Sequence, residues 1–216
     1  MKPLVLALIL SFTAAAQQHP ATQREIAPVM GVGGADWLTR PERESEERSR
    51  EALDEIGIAQ GSTVADIGAG VGYYTELLSD RVGPEGKVYA EDIQPGMLTL
   101  LHKRLPQKNI ITVLGIDSDP RLPAAAMDLA LLVDVYHEFS KPQLMLRKLH
   151  EALKPDGRLA LLEYRAEDPN VPIRKEHKMT VEQVRTEIEP EGFRLIKRSE
   201  KLPLQHILIF GKKNPS

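Results

Sequence analysis

Between residues 64 and 72 the chain reads Val-Ala-Asp-Ile-Gly-Ala-Gly-Val-Gly. An apolar run that ends in closely spaced glycines and passes into a helical pattern is a strand turning sharply into a helix. Such a turn belongs to open α/β sheets, where it places a bound molecule outside the carboxyl edge of the strands. The rest of the chain has to supply strands and helices that surround this bend.

They follow in alternation. Strands are expected over 63–67, 87–91, 110–114, 127–133 and 158–164, and helices over 73–81, 95–104 and from Ser140 to Leu153. The run 127–133 is apolar almost throughout, as a strand covered on both faces should be. Capping boxes start three helices: Thr39 with Glu42 (a helix over 40–57), Ser140 with Gln143, and Thr180 with Gln183. Two strands, 193–200 and 204–210, close the chain with no room for a helix between them, so they must pair antiparallel. The expected fold is a Rossmann-like α/β domain: a seven-stranded, mostly parallel sheet with helices on both faces and a C-terminal antiparallel β-hairpin.

This domain is expected over 61–213, behind a helical cap over 37–60 and a small-residue linker over 17–36. Residues 1–16 read as a signal peptide: Lys2, an apolar run from Leu4 to Phe12, and an Ala-rich end at Ala16. The expectation is export, with no stable membrane insertion after cleavage, and otherwise a cytoplasmic protein. The chain has no cysteine, which excludes disulfides, thiolate-bound metals and thiol nucleophiles. A net charge of −3 gives no reason to expect a nucleic-acid partner. Oligomeric state is not legible.

Spacing narrows the ligand. A dinucleotide fingerprint needs a third glycine at position 73, where Tyr73 stands. Asp66, two residues before Gly68, would repel a pyrophosphate and suits an ammonium group. Asp92 follows the second strand, where a carboxylate accepts hydrogen bonds from both hydroxyls of a ribose. Glu91 is its neighbour and competitor.

With these residues in view, 62–164 resembles the methyltransferase domain of the class I S-adenosylmethionine-dependent family, sometimes labelled type 11, which includes quinone-biosynthesis enzymes. The resemblance implies that Asp66, Gly68, Ala69, Gly70 and Gly72 hold the amino-acid part of S-adenosylmethionine. It implies Asp92 on the ribose, Ile93 against the adenine, and Ile116 with Asp117 (or Asp119) around the base. The fourth strand ends in Asp134-Val135-Tyr136-His137, at the edge that faces the transferred methyl in this family. Asp134 would bind the cofactor's amino group or the acceptor. Tyr136 and His137 are the candidate catalytic residues, with His137 either a general base or a loop-fixing group. His177 and His206 are the histidines that could join His137 on a metal, but no ligand-spacing motif is present and no metal is expected. The acceptor is expected to be a small molecule. The alternatives are a nicotinamide-dependent oxidoreductase and a non-catalytic domain that binds S-adenosylmethionine.

Overall fold

The computed structural model describes residues 17–213; the signal peptide read over 1–16 lies outside the described residues. Two short helices, α1 (Arg43–Glu47) and α2 (Ser49–Ile56), precede the alternating part. Then come β1 (Thr63–Ile67), α3 (Tyr73–Val82), β2 (Lys87–Asp92), α4 (Pro95–Arg104), β3 (Ile110–Leu114), β4 (Met127–Val133), α5 (Pro142–Ala152), β5 (Leu153–Arg165), β6 (Lys178–Met179), α6 (Val181–Ile188), β7 (Phe193–Ser199) and β8 (Gln205–Lys212).

The strands form one sheet in the order β3-β2-β1-β4-β5-β8-β7, with the two-residue β6 beside the end of β5. β1 to β5 run parallel; β8 is antiparallel to both β5 and β7. The hairpin turns back on itself, so the last strand lies inside and β7 forms the edge. Side chains alternate between two apolar layers, as the strand period requires. Ala65, Ile67, Ala130 and Leu132 face Leu146, Leu149, Val184 and Ile188 of α5 and α6. Val64, Leu129 and Leu131 face Leu53, Leu77 and Leu78 of α2 and α3. Strand order reverses between β1 and β4, so the loops that leave these two strands diverge and open a crevice.

Four expectations change. β6 makes the sheet eight-stranded. The helix expected over 40–57 is two helices broken at Arg48, which adopts φ 51°, and Thr39 closes a 3-10 turn over Val32–Thr39 instead of capping. Local side-chain ties win there: Arg40 stacks on Trp37 at 3.5 Å, and Arg43 donates to the Leu38 carbonyl at 2.7 Å. At α5 the N-cap is Lys141 with Pro142 in the first turn, and Ser140 makes no capping bond there. β5 begins at Leu153, because Leu153 pairs with Met127 and Lys154 is held by Asp128 at 2.7 Å. The Thr180–Gln183 capping box is formed as expected.

The stretch expected as a linker is docked. Ile26 and Ala27 are buried, Ala27 donates its N–H to the His137 carbonyl at 3.1 Å, and Arg24 pairs with the buried Glu187 at 2.9 Å. An ion pair taken out of water holds a segment only when its geometry is satisfied, and Arg24 meets both oxygens of Glu187. Among the described residues no helix is long and apolar enough to cross a membrane.

Candidate active site

The crevice deepens into a cavity of about 720 Å³, within the range of pockets that enclose a drug-sized molecule. Its floor is the glycine bend after β1. Gly68, Gly70 and Gly72 have φ of 66°, 55° and 84°, a region costly for any residue with a side chain. A Cβ on Gly68 would run into Val135, and one on Gly70 would lie 2.8 Å from the Leu38 side chain. Bare backbone therefore faces the cavity at Gly68 and Gly70.

Acids from β2 hold this bend. Asp92 accepts the Gly70 N–H at 2.9 Å and the Gln94 N–H at 2.8 Å, and still has lone pairs to offer the cavity it lines. Glu91 lies beneath, near the Gly68 N–H at 3.4 Å, with its other oxygen unpartnered. Burial pushes the Glu91 carboxyl up to about 8, opposed by Gly68 and reinforced by the charges of Asp92 and Asp66. Asp92 is raised as well, again by burial.

Asp66 has a different place from the one expected. It lies behind the bend and does not line the cavity; its Oδ2 accepts from Thr75 Oγ1 at 2.6 Å, tying the end of β1 to the first turn of α3. Burial raises its pKa to about 6, with Thr75 and Arg43 opposing. Gly68, Gly70, Asp92, Ile93, Asp117, Asp134 and His137 line the cavity. Ala69, Gly72 and Ile116 do not: Ala69 packs toward α4, Gly72 is backed by Leu101 and Leu105, and Ile116 is exposed. Tyr136 is corrected too. Its ring is fully buried against Phe139 at 5.5 Å between centroids, so it is core and not a wall of the cavity.

Asp134 sits at φ 49°, a strained conformation for a residue with a side chain. Gln205 donates to its Oδ2 at 2.7 Å, and its Oδ1 is buried without a partner. Burial, with the negative charges of Glu47 and Glu163 nearby, raises its pKa well above the usual carboxylate range. On the same wall lies Arg43, anchored to Glu47 at 2.9 Å, with Tyr164 donating to Glu47 at 3.3 Å.

A second polar cluster in the cavity lining is built around His137. Its Nδ1 meets Glu163 Oε2 at 2.6 Å, and its Nε2 meets His177 Nδ1 at 3.0 Å. The Tyr136 N–H fills the other oxygen of Glu163 at 3.0 Å. Burial disfavours the imidazolium of His137, but the charge and hydrogen bond of Glu163 outweigh it and raise the pKa. The pKa of His177 is lowered by burial and by the charge of His137. Glu138, beside them, is pushed up to about 7 by burial. His206 belongs elsewhere, buried between Glu200 and Glu167 at 3.0 Å from each.

Glu163, Glu47 and the 28–30 stretch were not foreseen. A signal existed for Glu163: it is a lone charge in the apolar run Leu159-Ala-Leu-Leu-Glu-Tyr. A buried strand tolerates a carboxylate only with partners, so that acid pointed to a polar neighbour such as His137. Nothing local marked Pro28, Val29 and Met30 as cavity wall.

Residues 65–161 match the model of a methyltransferase domain. The chain is 30% identical over 119 residues to the ubiquinone/menaquinone biosynthesis C-methyltransferase UbiE of Hahella chejuensis, covering 53% of this chain and 48% of the relative. It is 32% identical over 119 residues to the protein of that name from Idiomarina loihiensis, covering 53% and 47%. The chain thus spans about half the length of the curated relatives it matches. A solved SAM-dependent methyltransferase from Aquifex aeolicus superposes with a TM-score of 0.79 at 26% identity, covering 84% of this chain and 98% of that one. This chain carries a methyltransferase domain of the class I S-adenosylmethionine-dependent family.

Proposed function

We propose that the protein transfers a methyl group from S-adenosylmethionine to a small-molecule acceptor, with residues 61–213 as the catalytic domain and 17–60 as its cover. The observation that carries this reading is the bare backbone of Gly68 and Gly70 beside Asp92 on one cavity wall. Asp92 receives the ribose hydroxyls, and Ile93 and Asp117 flank the adenine. Asp134, with its unpartnered oxygen, receives the ammonium of the methionine end, and Arg43 its carboxylate. Asp66, Ala69 and Gly72 act through the shape of the bend. Ile116 contributes from outside the cavity, at the turn that carries Asp117.

The cofactor supplies an already activated methyl on a positive sulfur, so the protein's main task is alignment. The acceptor lies toward Arg174, Ile173 and His137. An acceptor that loses a proton on methylation is activated at the His137–His177 corner, with Glu163 orienting the ring. Tyr136 supports that corner through its backbone N–H. The net charge of −3 favours a small acceptor over a nucleic acid.

Calorimetry of the folded chain with S-adenosylmethionine and S-adenosylhomocysteine tests the reading: both are expected to bind one per chain, and binding of neither overturns it. NADH is expected not to bind. Mass spectrometry of metabolites incubated with a labelled methyl donor then separates a transferase from a domain that binds the cofactor without turnover. His137→Gln is expected to keep cofactor affinity and slow turnover at least about tenfold; equal turnover would make His137 a loop-fixing residue. Export is a separate proposal, and N-terminal sequencing of the protein from its host is expected to start at Gln17.

A further inference from the structure

The His137 corner has more than a proton-handling group needs. Three side chains from two loops converge there: His137 and Glu138 after β4, and His177 in the connection from β5 to β6. One ligand atom from each lies within 4.8 Å of the others, and all three residues line the cavity. The facing nitrogens, His137 Nε2 and His177 Nδ1, are 3.0 Å apart. Two imidazoles on one tetrahedral zinc ion have nitrogens about 3.3 Å apart, so a shift of a few tenths of an ångström admits the ion.

The support behind His137 is that of a ligand. Its Nδ1 is engaged by Glu163, a fully buried carboxylate whose second oxygen is fixed by the Tyr136 N–H. A carboxylate on the far nitrogen sets the tautomer, turns the other nitrogen's lone pair outward and strengthens it as a donor. Without an ion, the 3.0 Å contact requires a proton between the two rings; a divalent cation takes the place of that proton.

We propose that His137 Nε2, His177 Nδ1 and the Glu138 carboxylate form a binding site for one divalent transition-metal ion, zinc by choice, at the acceptor end of the cavity. Two imidazoles and one carboxylate with a fourth position open to a cavity is the donor set of catalytic rather than structural zinc. The site stands on its own geometry; its use in catalysis rests on the methyl-transfer reading. There, an acceptor hydroxyl would take the open position and lose its proton to solvent. Its oxygen would then form the new bond to carbon as the carbon–sulfur bond breaks and sulfur leaves as a neutral thioether.

The test titrates the chelator-treated full chain with Co²⁺, read by visible absorption, and then displaces it with Zn²⁺. One equivalent of Co²⁺ is expected, released by Zn²⁺. His177→Ala and Glu138→Gln, both half-buried positions that leave the sheet untouched, are each expected to weaken binding more than about tenfold. No saturable binding by the unsubstituted chain, or unchanged affinity in either variant, overturns the site. S-adenosylhomocysteine calorimetry on the same samples keeps the two readings apart: metal binding without it sinks methyl transfer alone, and the reverse sinks the metal site alone.

Discussion

Two parts of the cavity wall, the glycine bend and the histidine cluster, are built by opposite means. At the glycine end the groups come from one stretch, 66–94, and backbone N–H donors meet carboxylates across two adjacent strands. At the histidine end, the contacts are between side chains far apart in the chain: His137 with Glu163 and with His177. The first design suits recognition, because its shape is part of the β1–α3 turn and exists whenever the sheet does. The second depends on two loops and a docked N-terminal segment, each of which can shift without unfolding the sheet. Affinity for the cofactor should therefore answer to changes at the first end, and turnover to changes at the second.

The largest expected effect is at Gly68. Gly68→Val places a branched side chain at φ 66° and against Val135, and cofactor affinity should fall more than about 100-fold with about 2–4 kcal/mol of stability lost. Calorimetry and thermal unfolding check both. If affinity fell while stability held, the bend would be a recognition element alone.

Asp92→Ala comes next. It frees the Gly70 and Gln94 N–H groups and removes the proposed ribose acceptor, so affinity should drop by about 1.5–3 kcal/mol, roughly 10- to 150-fold. Thr75→Val is expected to do less, within about tenfold, because it reaches the cavity only through Asp66. An equal loss in the two would mean that Asp66 is as close to the ligand as Asp92.

The acids at the glycine end also predict a pH dependence. Asp66 and Glu91 titrate near 3.8 and 4.5 in an unfolded chain, and at about 6 and about 8 when folded. Between those values the folded state binds more protons at these two groups, so their contribution to stability is full below about pH 4 and is lost as pH rises toward 8. Glu91→Gln removes the larger share. Its advantage over the parent chain should grow by about 4 kcal/mol from pH 5 to pH 9, measured by urea unfolding at each pH. A parallel offset at all pH values would refute the linkage.

The smallest effect is expected at the cover. Trp37→Phe trims an exposed ring stacked on Arg40, and cofactor affinity should change less than about threefold. A larger loss would show that the Trp37 ring, which lines the cavity, contacts the cofactor directly.

Much of this molecule was legible before any coordinates, wherever the information was local. Strand and helix periods, the Thr180 cap and the glycine bend each depend on residues within a few positions of one another, and all are present. Asp92, Ile93 and Asp117 reach the cavity because the end of a strand directs them there. The capping boxes at Thr39 and Ser140 failed because the same residue pattern met stronger partners nearby, Trp37 with Arg40 in one case and Pro142 in the other.

What the amino-acid order alone determined is the α/β alternation, the antiparallel close and the bend that bares its backbone, since each follows from side-chain period or from residues that tolerate positive φ. Only the tertiary structure decided that Asp66 turns inward to Thr75, that Tyr136 is core, that residues 17–31 dock through Arg24 and Glu187, and that His137 meets Glu163, Glu138 and His177. Those outcomes turn on which distant groups share a buried space, where unpaired polar atoms are costly and each must find a partner. No local pattern records that choice.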